Sequence, residues 1–254
     1  MFQALASSLK APSTELPHMV RPAVVLGSAP GSMVPSDAAL NWTLATVNAS
    51  QAVHPGLLPD LTLLGTGVMR NKLVNREAKE ALAGLRTRHL VLVKSSRHID
   101  WTRPRLLKIG YSYDAVTRIT QEARGRSLEW ATGIDGLSLW PSNGVFMAFM
   151  CLQMGAPFVL ITGFSFSQSG HGYNSKARER SHVAQDKQSL SAALARGHRI
   201  YTNSTAFSDE SGVPLLTGGN RPDHDLCQVS FPTSSGRMQE EQALLDNFTA
   251  FGTR

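Results

Sequence analysis

Residues 141–190, PSNGVFMAFMCLQMGAPFVLITGFSFSQSGHGYNSKARERSHVAQDKQSL, carry the densest structural signal in the chain. A small polar turn, Ser142, Asn143 and Gly144, opens an apolar helix that Gly155 and Pro157 bring to an end. The run Phe158 to Thr162 follows as a buried strand. Gly163 leads into a polar loop rich in glycine and serine. At His182 an amphipathic helix begins and continues to Arg196. In an open α/β sheet, ligands bind beyond the carboxyl ends of the strands. If the sheet is parallel, this order of parts gathers Ser142 to Gly144, Ser165 to Tyr173 and His182 around one cleft.

The rest of the chain supplies such a sheet. Ala23 to Leu26 reads as a short buried strand running into Gly27-Ser28-Ala29-Pro30-Gly31-Ser32. A small-residue loop after a strand can bring backbone N–H groups to a phosphate, or can be a plain turn. Its glycines are four apart and no lysine follows, so it is neither a dinucleotide fingerprint nor a Walker loop. Leu44 to Val47 is a second strand. It ends at Asn48, whose amide could bind a ribose or base or merely make a turn. Leu61 to Leu64 and His89 to Val93 are further strands, with a helix across Arg70 to Arg86 between them. The basic segment Arg97 to Lys108, with Trp101, reads as a solvated rim that could touch an anionic surface. Ala115 to Arg126 reads as a weak helix. After the central stretch come a short strand at His198 to Tyr201, an irregular cover over residues 205–238 and a closing helix at Glu240 to Phe251.

Strand–helix alternation argues for a Rossmann-like, mostly parallel sheet flanked by helices, with loops over the carboxyl ends of the strands. The expected division is a loose tail at 1–20, a nucleotide-sugar-sized α/β domain at 21–204 with a lid at 165–182, and the cover and last helix at 205–254.

With 254 residues, 42% hydrophobic and 17% charged, the composition is that of one soluble globular domain. The net charge of +6 makes the chain compatible with polyanionic partners. No basic stripe interleaved with aromatics appears, so nucleic acid is not expected among the partners. Residues 144–164 approach the ~20 residues that span a bilayer. Gln153, Gly155 and Pro157 interrupt them, so the reading is a buried helix, turn and strand. Two cysteines, Cys151 and Cys227, with no CxxC between them, fit a reducing cytoplasm. The first twenty residues lack the apolar core of a signal peptide.

Taken together, four motifs resemble glycosyltransferase family 42, the bacterial sialyltransferases. VVLGSAPGS resembles the family's first-strand loop and TVNASQ its second-strand ending at an asparagine. PSNGVFMAFMCLQMGAPFVLITGFSFSQSGHGY resembles its Ser-Gly helix, the strand after it and a Gly-x-Asp-Phe-Tyr turn. SHVAQDKQSL resembles the helix that begins at the family's histidine. The resemblance spans roughly residues 23–204. It implies a variant of the GT-A glycosyltransferase fold and metal-free, inverting transfer of sialic acid or a related keto-sugar from a CMP donor. The acceptor would be a bacterial surface glycan or glycolipid. No cofactor or metal is implied. Peripheral contact with the inner face of the inner membrane and a homo-oligomer are compatible with it.

Such a transfer needs a base for the acceptor hydroxyl and hydrogen-bond donors for the departing phosphate. The resemblance gives the first role to His182 and the second to Tyr173. It gives donor binding to Gly27, Ser28, Ala29, Pro30, Asn48, Ser142, Asn143, Gly144, Gly163 and Ser165. His171 is an accessory or acceptor-side candidate, and Asp186 a support for His182 or for the helix N-terminus. The chain departs from the family pattern where Ser28 replaces Asn, Ala29 replaces Gly, Ser165 replaces Asp and Ser167 replaces Tyr. Two other readings stay open. A diphosphokinase similar to the pterin-pyrophosphate-forming proteins would need Mg²⁺ and a carboxylate where Ser165 stands. A nucleotide-binding module would need no catalysis. Asp223-His224-Asp225 superficially matches a DxD metal motif but lies in irregular sequence. Gly163-Phe164-Ser165-Phe166-Ser167 lacks the closing glycine of a serine-hydrolase elbow.

Overall fold

The computed structural model describes residues 16–30, 33–35, 41–54, 56–70, 76–93, 96–173 and 181–217, with the backbone alone at 96–101. Asp223-His224-Asp225, Cys227 and the helix expected at Glu240 to Phe251 lie outside the described residues.

Seven strands form one sheet: β1 (Ala23–Leu26), β2 (Thr43–Val47), β3 (Leu61–Gly65), β4 (Arg86–Val93), β5 (Ser112–Ile119), β6 (Val159–Thr162) and β7 (Ile200–Thr202). Their order is β5-β4-β3-β2-β1-β6-β7, and every pairing is parallel. The chain therefore steps outward from β1 to β5, returns, and continues on the other side at β6. β1 and β6 are buried along their whole length, as expected of strands covered on both faces.

The helices are α1 (Arg76–Leu82), α2 (Ser96–Lys108), α3 (Gln121–Thr132), α4 (Asn143–Gln153), α5 (Val183–Ala195) and α6 (Thr205–Ser211). α4 is the central one. Gly144 to Cys151 are all buried, so it is apolar all round, as a helix enclosed by protein must be. It packs on β1, β2, β3 and β6, with α3 and α5 beside it. Ser142 starts it, its side chain accepting from the Val145 N–H. Because the strands are parallel, this start lies at their carboxyl ends. None of the described helices is long and apolar enough to cross a membrane.

Four sequence expectations require correction. Residues 112–119 form an edge strand, and the helix begins only at Gln121, where the Thr120 side chain caps it by accepting from Ala123 N–H. The alternation Tyr113, Ala115, Thr117, Ile119 is the strand signal that a helix reading across Ala115 to Arg126 overrode. The basic segment at 97–108 is a helix whose Leu106 is fully buried. Among the described residues between Arg70 and Arg86 the helix is the short α1, which ends at Leu82, and β4 already begins at Arg86. Residues 205–211, read as irregular, form α6: the Ser204 side chain caps it and Gly212 ends it at φ 74°. Phe207 anchors α6 in the main core. At the other end, Met19 is buried and its N–H donates to the Met154 carbonyl at 2.7 Å.

Because α4 closes the core, truncating one of its enclosed rings leaves a cavity that the sheet cannot collapse to fill. Phe149→Ala is expected to cost about 3–5 kcal/mol, read as a fall in the denaturation midpoint without change of slope.

Candidate functional site

A cleft of about 690 Å³ opens over the carboxyl ends of the strands. It is lined by residues from the loop after β1, the ends of β2, β3 and β4, the starts of α3 and α4, the turn after β6 and the start of α5. Gly27, Ser28, Asn48, Ser142, Asn143, Gly144, Gly163, Ser165, His171, Tyr173, His182 and Asp186 all line it. The three separate stretches expected to meet around one cleft do so.

The loop after β1 is built differently from the amide cradle its sequence permits. Gly27 N–H donates to the Thr162 carbonyl at 2.7 Å and Ala29 N–H to the Gly163 carbonyl at 2.8 Å. Those two amides are spent on β6 and cannot hold a phosphate. Ala29 is buried and Pro30 is exposed, and neither lines the cleft. A Cβ on Gly27 would lie 2.2 Å from the Gly163 carbonyl oxygen and 2.7 Å from the Phe164 ring. A Cβ on Gly144 would lie 2.3 Å from the other side of that ring. Both glycines thus make room for Phe164, which wedges between the first loop and the start of α4.

Ser28 still faces a partner in the lid. Its hydroxyl is 2.6 Å from His171 Nδ1, and its carbonyl accepts from Gly172 N–H at 2.7 Å. The His171 ring stacks on Tyr173, with centroids 5.0 Å apart and planes 3° from parallel. The lid segment is therefore fastened to the first loop, with two polar aromatic side chains side by side in the cleft wall.

Asn48, at φ 51°, takes the left-handed conformation that asparagine tolerates better than most residues. Its side-chain oxygen accepts from Gly65 N–H at 3.0 Å and from Asn143 Nδ2 at 3.2 Å. That ties the ends of β2 and β3 to the start of α4.

Residues 140–142 are held from three directions. His182 Nδ1 lies 2.9 Å from the Trp140 carbonyl. Arg124 Nη2 donates to the Pro141 carbonyl at 2.7 Å. Ser142 N–H donates to Asp186 Oδ1 at 2.6 Å. A carbonyl can only accept, so Nδ1 carries the proton, and an uncharged ring in this tautomer has its lone pair at Nε2. Asp186 thus accepts from the backbone at the cap of α4.

Two residues that sequence reading passed over contribute most to the electrostatics. Arg124 is 4% exposed, sandwiched with its guanidinium carbon 4.7 Å from the Trp140 ring centre and 4.9 Å from that of Phe146. Burial lowers its pKa to about 10, against the opposing pull of Asp186. Its Nη1 is buried with no hydrogen-bond partner, and so is Oε1 of Gln121, one helical turn away on α3. Both line the cleft. The second overlooked residue is Glu210 of α6. Its carboxylate accepts from Phe166 N–H at 2.5 Å, from Ser165 Oγ at 3.5 Å and from Ser167 Oγ. Ser165 stands where the resemblance expected an aspartate, and α6 returns a carboxylate to that turn from elsewhere in the chain. Neither residue had a legible signal. Arg124 fell in a stretch read as a weak helix, and Glu210 in one read as irregular. Among the described residues, no three His, Cys, Asp or Glu side chains cluster closely enough to hold a metal ion.

No family model matches the sequence, and no curated protein matches it. Solved structures do match. The monofunctional α-2,3-sialyltransferase Cst-I from Campylobacter jejuni superposes with a TM-score of 0.55 at 10% identity, covering 95% of this chain and all of that one. The sialyltransferase CstII bound to a trisaccharide acceptor and CMP gives 0.50 at 8% identity over 80% of this chain and 89% of that one. CstII from Campylobacter jejuni with cytidine-5'-monophosphate gives 0.50 at 9% identity, over 78% and 86%. At such identities the likeness establishes a shared fold: a parallel Rossmann-like sheet with flanking helices, similar to that of these sialyltransferases.

Burial raises the Glu210 pKa, but the donations from Ser167, Phe166 and Ser165 outweigh it and hold the carboxyl below its ordinary 4.5. A folded value below the unfolded one means that the contribution to the turn is complete above about pH 4.5 and is lost as pH falls through the lower, folded value. Hydrogen exchange at Phe166 N–H, corrected for its intrinsic rate, is expected to be slow at neutral pH and to quicken as pH falls through the folded value. In Glu210→Ala it is expected to be fast throughout.

Proposed function

We propose that the chain is a metal-independent glycosyltransferase that moves a sugar acid, sialic acid or a related keto-sugar, from a CMP donor to a hydroxyl of a glycan acceptor with inversion. The observation that carries this reading is the His182 Nδ1 contact to the Trp140 carbonyl at 2.9 Å, which leaves Nε2 as a proton acceptor at the wall of the cleft.

In the proposed step the acceptor hydroxyl gives its proton to His182 Nε2 while its oxygen bonds to the anomeric carbon. The bond from that carbon to the CMP phosphate oxygen breaks, and CMP leaves with the electron pair. Negative charge grows on the phosphate. Tyr173 and His171 are suited to meet it, as are the amides of Asn143 and Gly144, which at the first two positions of α4 have no helical acceptor. The Asn48 amide nitrogen is a donor for the nucleoside side, because its oxygen is occupied by Gly65 and Asn143. The solved structures sharing this fold include one with CMP and a trisaccharide acceptor bound, which supports the same two ligand classes here. A bacterial surface glycan, such as a lipooligosaccharide or capsule, is the acceptor most consistent with the resemblance. Work at the inner face of the inner membrane and a homo-oligomeric state belong to the same proposal.

A Mg²⁺-dependent diphosphokinase would need a free carboxylate beside Ser165. The one there, Glu210, is occupied by donors from Ser165, Phe166 and Ser167.

CMP is expected to raise the melting temperature equally in EDTA and in Mg²⁺, whereas ATP consumption that stops in EDTA would favour the kinase. CMP-sialic acid is expected to be turned over, and His182→Ala to slow that turnover by ~10²–10⁴-fold. Stabilisation by CMP with no turnover under any donor and acceptor would reduce the reading to a binding module.

A further inference from the structure

The cleft wall next to His182 contains a second group of side chains that the donor chemistry leaves unused. Trp140 lines the cleft yet is 43% exposed, one of few large apolar side chains so open among the described residues. An indole left in water at the mouth of a polar cleft is an informative exception, because rings of this size are mostly buried on average. One side of the ring is backed by the Arg124 guanidinium at 4.7 Å, which limits its swing. The same residue's carbonyl holds His182 Nδ1. Whatever rests on the Trp140 ring is therefore positioned relative to the proposed base through a single residue.

Two side chains of α3 in the same cleft wall each carry an unpartnered atom: Nη1 of Arg124, whose guanidinium backs the ring, and Oε1 of Gln121. A buried polar atom without a partner is costly, the more so when charged, and calls for an explanation such as a ligand that completes it. An aromatic face flanked by a planar donor and a planar acceptor has the chemistry of a pyranose site. The ring's C–H face lies on the indole, and its hydroxyls bridge the two polar groups.

The geometry points to Trp140, with Gln121 and Arg124, as the subsite for the acceptor's terminal sugar, bringing one of its hydroxyls to His182 Nε2. This rests on the transferase reading above and adds to it the side of the cleft that the acceptor occupies. Trp140 is a specificity-determining residue in direct contact with substrate. The nucleoside is assigned to the side of Ser28 and Asn48, which follow β1 and β2, and of Tyr173 in the loop after β6.

The test is titration of the full chain with a panel of hexose-terminated oligosaccharides and, separately, with CMP, following tryptophan fluorescence and affinity. At least one oligosaccharide is expected to alter the fluorescence of the wild-type chain, and Trp140→Phe to remove most of that signal. Trp140→Ala is expected to weaken oligosaccharide binding by about ten-fold or more, and at least several-fold more than it weakens CMP binding. Trp140→Phe, which keeps an apolar ring, is expected to recover part of the loss. Gln121→Ala is a second variant with the same expected direction and no change at the ring. Oligosaccharide affinity equal in Trp140→Ala and wild type would overturn the assignment, as would absence of oligosaccharide binding across the panel. A fluorescence change produced by CMP alone would overturn it too, marking the ring as a nucleobase platform. If oligosaccharides bind through Trp140 but CMP does not bind, the subsite stands and the donor reading falls.

Discussion

The tripeptide Trp140-Pro141-Ser142 is the point on which the cleft depends. Its carbonyls accept from His182 and Arg124, and its last N–H donates to Asp186. Three helices therefore converge on three consecutive residues: α3 through Arg124, α4 through its cap at Ser142, and α5 through His182 and Asp186. Two of these three bonds, from Arg124 to the Pro141 carbonyl and from Ser142 N–H to Asp186, involve a charged side chain, so the segment cannot shift without breaking one of them. The orientation of the imidazole follows from that rigidity. Its tautomer is set by a main-chain oxygen and so does not depend on a second titrating group.

The opposite wall follows the same logic with different parts. The backbones of the first loop and of the turn after β6 approach so closely that only glycine fits at residue 27, and their mutual hydrogen bonds consume two of the loop's amides. What faces the cleft from this side is consequently the Ser28, His171 and Tyr173 side chains. The lid is thus fastened at both ends of its described part. Ser28 bonds His171, while Glu210 holds the turn at Ser165 to Ser167. The phenyl rings of Phe164 and Phe166 pack on Phe207, with centroids 5.8 and 5.0 Å away, so α6 forms the floor of the turn. A segment whose sequence reads as a loose cover is part of the support of the site.

Wherever an apolar run or a glycine imposed a local necessity, the residues announced their structure. β1 is an apolar tetrad and β6 an apolar triad closed by Thr162, α4 is a helix with no polar face, and the Ser142 cap and the Gly155 stop mark its ends. The reading failed where local signals competed. At 112–132 an edge strand with three of its eight residues buried passed directly into a helix, and the charges of the helix obscured the alternation of the strand. At 205–211 one Phe207 and a serine cap were too little pattern to mark a seven-residue helix whose stability comes from packing on the core.

Local pattern alone was enough to specify a parallel α/β sheet, a helix start at Ser142 and another at His182, because periodicity, caps and breakers act between neighbours in the chain. Other contacts depend on three dimensions: that Glu210 accepts from the turn at Ser165 to Ser167, that Asp186 accepts from the start of α4, and that buried atoms of Arg124 and Gln121 lack hydrogen-bond partners. The hydrogen bonds of Arg124, Asp186 and Glu210 join residues 17 to 45 positions apart in the chain. A hydrogen bond across such a distance depends on the packing of whole helices against the sheet, which no local run of residues encodes.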